Sequence, residues 1–146
     1  MSNPNVKPSD RATFLDAVYP VSNGATLTTG WISIAEYHTL LALILVGVEG
    51  TAATVDAKLQ QATSSGGAGA KDVSGKSITQ LVKASNDNNA AMINCRADEL
   101  DIAGGFTYVR LSMTGGTAAS LMAGVLLGFD GKNQAESHAA AMVQAV

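Results

Sequence analysis

Cysteine is nearly missing from this 146-residue chain. Cys95 stands alone, which excludes an intrachain disulfide and any paired-cysteine metal spacing. It lies on the apolar side of the alternating run Ile93-Asn94-Cys95-Arg96-Ala97, the setting of a small buried hydrophobe rather than a reactive thiol. Charge is scarce as well, at 14% of residues with a net −3. The nine lysines and arginines are scattered singly between Lys7 and Lys132, so no basic strip forms and direct nucleic-acid binding is not expected. Aromatic residues make up only 5%. The longest greasy run, LLALILVGV at 40–48, is about half of what a bilayer span needs. The polar start, MSNPNVKPSD, has no apolar core of the kind a secretory leader carries. These features predict a soluble protein made in a reducing cytoplasm, with no membrane partner.

What is abundant is small and apolar: 47% of residues are hydrophobic and 15 are glycine. The length suits one domain with a single core. TVDAKLQQA (54–62) alternates, with Val55, Ala57 and Leu59 opposed to Asp56, Lys58 and Gln60, the period of a half-buried strand. AMINCRADEL alternates again. WISIAEYHTL followed by LLALILVGV fits a turn and then a strand over 39–48. TSSGGAGA is a flexible loop, KDVSGKSITQL an extended piece broken near Gly75, and KASNDNNA a polar turn. FTYVRLSMTGGTAASLMAGVLLG holds two strand-like runs around Gly115-Gly116, which predicts a tight hairpin there. Residues 117–127 are apolar at both parities and read as a central strand covered on both faces. About seven or eight short strands without a sustained helical repeat predict a mainly β fold, an antiparallel jelly-roll-like β-sandwich. The domain spans 12–128. Residues 1–11, with Pro4 and Pro8, form an N-terminal arm; residues 129–146 form a C-terminal arm in which AESHAAAMVQAV suits a short docking helix.

One stretch matches a chemical motif. AKDVSGKS, Ala70 to Ser77, fits the relaxed phosphate-loop pattern. A working loop needs a buried strand before it and a helix starting at its Lys-Ser end, so that backbone amides cradle the phosphates. Here QQATSSGGAG precedes it and SITQLVKAS, then NDNN, follows; neither supplies that context. The pattern arises by chance in roughly one chain in a hundred of this length, and it is read here as such an accident. No cofactor is expected.

Other constellations are thinner still. His38 and His138 are the only histidines and have no ligand-spaced carboxylate or cysteine, and no nucleophile elbow exists. ADELD (97–101) and NDNN (86–89) lack calcium-loop spacing and read as solvated turns, with Arg96 or Arg110 as ionic neighbours. Trp31, Tyr37, Phe106 and Tyr108 offer a slender basis for a sugar-stacking platform; core and interface roles suit them better. No catalytic or metal-binding residue is assigned, and the protein is expected not to be an enzyme.

Taken in order, WISIAEY with LLALILVGVEG, the phrase VDAKLQQA, and LDIAGGFTYVRL with LMAGVLLG resemble small virion structural proteins of tailed bacteriophages, over roughly residues 14–128. The resemblance brings no catalytic motif. It implies a capsid cement or decoration protein on the capsid surface, assembled in the bacterial host cytoplasm. Its partner would be the major capsid protein, with self-association into a dimer or trimer. A neck or tail component is the alternative, and a nucleotide-binding or carbohydrate-binding module a more distant one.

Overall fold

The computed structural model describes residues 5–132 and 142–144. After a short 3-10 turn at Pro8–Asp10, ten strands follow: β1 (Ala12–Asn23), β2 (Thr26–Thr28), β3 (Ile32–Ser33), β4 (Tyr37–Glu49), β5 (Thr54–Ala62), β6 (Lys71–Ser77), β7 (Leu81–Val82), β8 (Ala90–Arg96), β9 (Tyr108–Gly116) and β10 (Ser120–Gly131). A four-residue helix, Lys83–Asn86, fills the polar turn before β8. β10 runs on to Gly131, past the domain boundary expected at 128. The short helix expected near the C-terminus falls mostly outside the described residues.

The strands form two sheets, ordered β1-β10-β4-β8 and β2-β9-β5-β6, with β3 added on β9 and β7 on β5. All pairings are antiparallel. Leaving aside the two-residue β3 and β7, the first strand pairs with the last, the second with the next to last, β4 with β8 and β5 with β6. That is a ribbon folded back on itself and rolled up: a jelly roll. The expected antiparallel β-sandwich is therefore what the chain adopts.

Alternation builds the core. Val55, Ala57 and Leu59 of β5 point inward with at most 2% exposure, as do Val109, Leu111 and Met113 of β9 at 0%. Facing them are Leu40, Ala42, Ile44 and Val46 of β4, Ile93 and Cys95 of β8, and Met122 and Leu126 of β10. The two inner faces interdigitate in the manner of packed sheets. Gly124 lets them close: a Cβ there would lie 2.6 Å from Leu111 Cδ2 and 2.7 Å from Met113 Sδ. The break foreseen near Gly75 is a bulge. Lys58 faces Ser77 and Gln60 faces Asp72, so β6 carries extra residues, with Gly75 at φ +73°.

The Gly115-Gly116 hairpin is not formed. β9 pairs with β2, β3 and β5, whereas β10 pairs with β1 and β4, so the two runs lie in different sheets. The glycines end β9, paired with Val55 and Thr54, and the chain crosses between sheets through 117–119 with Thr117 at φ +67°. Their role is space. A Cβ on Gly115 would sit 2.5 Å from the Asn23 carbonyl oxygen, and one on Gly116 2.6 Å from Thr54 Oγ1.

Candidate assembly surface

The outer side of the β1-β10-β4-β8 sheet is apolar. Side chains alternate along β10, so that Leu121, Ala123, Val125, Leu127 and Phe129 face away from the core; along β4, Thr39, Leu41, Leu43 and Leu45 do the same. The registers align them into cross-strand rows. Phe14, Leu127, Leu41 and Asn94 form one; Ala17, Val125, Leu43 and Met92 the next; Ala123, Leu45 and Ala90 another. Tyr19, Leu45, Met92 and Leu121 are 45–62% exposed. None of these residues is charged. Arg96, beside Thr39 at the β8 edge, is the nearest ionised group in register with them.

This surface corrects an expectation. β10 is central, as its composition predicted, but among the described residues only one of its faces is covered: its residues alternate between buried and partly exposed. The same holds for β4. Both strands carry the apolar-at-both-parities pattern of doubly covered strands, while among the described residues nothing packs on the second side. Contiguous apolar surface beyond a few hundred Å² marks an interaction site on a soluble protein. Gly47 deepens the surface locally into a shallow depression lined by Val21, Leu45, Leu121 and Ala123.

The residues singled out from sequence fall elsewhere. Lys71–Ser77 of the phosphate-loop match is the bulged strand β6, not a loop entering a helix. Lys76 Nζ pairs with Glu99 at 3.0 Å and is largely buried. The Arg96 amide, first, and the Lys76 ammonium hold the Glu99 carboxyl below the usual carboxylate range. Cys95 lies beneath this pair, 2% exposed, and burial followed by the Glu99 charge pushes its thiol up to about 11. A thiol so placed stays protonated at neutral pH. Asp98 pairs with Arg96 and Asp101 with Lys71 of β6, so the ADELD carboxylates are ion-paired, one of them locally and the others to β6. Among the described residues no three His, Cys, Asp or Glu side chains gather as metal ligands. His38 is exposed on β4; His138 lies outside the described residues.

The four aromatics do not make one platform. Trp31 and Phe106 both adjoin the 63–70 loop, at Gly67 and Gly69. Each ring is taken by an internal cation: Arg110 lies 4.5 Å from the Trp31 centroid and Lys71 Nζ 4.1 Å from that of Phe106. Tyr37 packs over Gly128, where an added Cβ would fall 2.8 Å from its ring.

Sequence reasoning missed Glu49. It closes β4 opposite Ser120 and is 2% exposed, yet neither carboxylate oxygen has a hydrogen-bond partner, nor does Ser120 Oγ. Its backbone amide donates to Asp87 Oδ1 at 2.9 Å. Burial first, and the Asp87 charge second, push the Glu49 carboxyl above its ordinary 4.5, against a partial pull from Lys83. A raised carboxyl stabilises the fold fully below 4.5 and loses that contribution as pH rises through the folded value. Glu49→Gln is therefore expected to flatten the decline in melting temperature above pH 4.5 and to raise it by a few degrees at pH 8. Thermal unfolding of both proteins from pH 4 to 8 checks this; parallel curves would contradict it.

No family model and no curated protein matches the sequence. Among solved structures, one chain of the cryo-EM structure of Broad Bean Stain Virus superposes with a TM-score of 0.45 at 9% identity, over 89% of this chain and 88% of that one. A chain of the Cowpea Mosaic Virus empty virus-like particle superposes with a TM-score of 0.42 at 14% identity, over 88% and 85%. The jelly-roll assignment itself rests on the strand order given above.

Proposed function

We propose that this protein is a non-enzymatic virion structural protein, a cement or decoration protein that binds the head shell of a tailed bacteriophage and stabilises it. The observation that carries this reading is the apolar outer face, uncovered by any described residue, on two strands whose composition is that of doubly covered strands. A chain built this way is completed by assembly. The phrases VDAKLQQA and LDIAGGFTYVRL, which resemble phage virion proteins, supply the setting. In this role the jelly roll is a rigid spacer with extensive surface, and residues 1–11 and the segment beyond β10, 132–146, act as arms that engage neighbouring capsomers. Ordering such an arm costs about 1–2 kcal/mol per residue in backbone entropy, so arms gain their hold only where many subunits converge.

The test is particle robustness. Heads assembled without this protein are expected to rupture at lower temperature than complete heads, and adding back the purified protein should restore them. Heads that are equally robust without it would contradict the cement role.

A further inference from the structure

Resting on that reading, we infer that the outer face of the β1-β10-β4-β8 sheet is closed by a second copy of this chain, packed face to face across a two-fold axis. The first argument is charge. The rows from Leu127-Leu41-Asn94 through Val125-Leu43-Met92 to Ala123-Leu45-Ala90 contain no ionised side chain, so two copies meet without like-charge repulsion at the middle of the face. A foreign partner is selected largely by complementary charge, and on this surface ionised groups stand only at the rim, where Arg11, Arg96 and Asp130 flank Thr39 and Phe129.

The second argument is area. Strands of 12, 12, 13 and 7 residues, at about 3.4 Å per residue and 4.8 Å between strands, cover roughly 700 Å². A standard interface takes about 800 Å² from each partner. The sheet therefore matches what one stable two-fold contact requires. Aligned sheets pack about 10 Å apart, so the product is a four-layered dimer whose outermost sheets are the two β2-β9-β5-β6 sheets. Those sheets carry the exposed ion pairs Lys58–Asp72 and Lys71–Asp101 and remain free for the shell.

The experiment is sedimentation equilibrium of the purified full chain and of Leu43→Asp, at the middle of the face, with circular dichroism to confirm folding. The wild type is expected to be a dimer, and Leu43→Asp to raise the dimer Kd on the order of 100-fold. If Leu43→Asp does not fold, Leu121→Asp, at a side chain already 48% exposed, carries the same readout. A monomeric wild type, or a folded variant that dimerises as before, overturns the inference. Head binding is scored separately: a monomer that binds heads sinks the dimer and leaves the virion role, whereas a dimer that binds no heads does the reverse.

Discussion

Leu111→Ala is expected to destabilise the fold by about 2–5 kcal/mol, lowering the melting temperature by on the order of 10 °C. Leu111 is fully buried at the middle of β9, opposite Leu59 of β5, and its Cδ2 fills the space that Gly124 leaves open on the other sheet. Truncation removes a contact that joins the two sheets. Backbone on both sides is fixed by ladders, so the site cannot collapse to fill the void. Ile102→Ala, outside the proposed dimer face, is the control. It removes as many carbon atoms from a side chain that is 52% exposed, and the loss should stay near 0.5 kcal/mol or below. Denaturant unfolding of the two variants at the same pH checks the contrast; equal losses would mean the core does not lie between the sheets.

Gly115→Ala is expected to cost about 1–3 kcal/mol from a single added methyl group. The new Cβ would approach the Asn23 carbonyl oxygen at 2.5 Å and the Gly24 Cα at 3.1 Å, both backbone atoms. A side chain can swing aside; this carbonyl cannot without disturbing the end of β1, where Asn23 pairs with Ser120. The Gly115 amide also donates to the Ala25 oxygen at 3.1 Å, so the strain reaches the β1–β2 corner. Gly75→Ala separates space from conformation. Gly75 has nothing within 4 Å but sits at φ +73°, and its loss should be the backbone penalty alone, roughly 1 kcal/mol. Thermal melts of the two variants rank the effects, and a Gly115→Ala protein as stable as wild type would contradict the packed corner.

Polar punctuation decided which parts of the fold were readable. In β5 and β8, Asp56, Lys58, Asn94 and Arg96 punctuate the apolar positions, so period two identified both strand and inner face. β4 and β10 lack such punctuation; strand existence was legible there, but the open face was not. Apolar residues at both parities look alike whether a partner sheet or another molecule provides the cover. Gly115-Gly116 misled for a related reason. Paired glycines serve either a reversing turn or a close backbone approach, and only the sheet partners of the two flanking strands distinguish them. Gly75 needed no such context, because a lone glycine within a polar extended run already marks an irregularity. Glu49 precedes Gly50 in what reads as an exposed turn, and local sequence has no means of signalling that Ser120, seventy-one positions away, closes over it. The surface proposed for assembly was therefore present in the sequence as a composition, without an address.

Stoichiometry in purified particles bears most directly on the central claim. Quantitative mass spectrometry of intact phage heads, with the major capsid protein as the internal standard, is expected to find this chain in numbers comparable to the capsomers of the shell. Its absence from purified particles, or a count no larger than a single ring at the neck, would contradict a protein that cements the head.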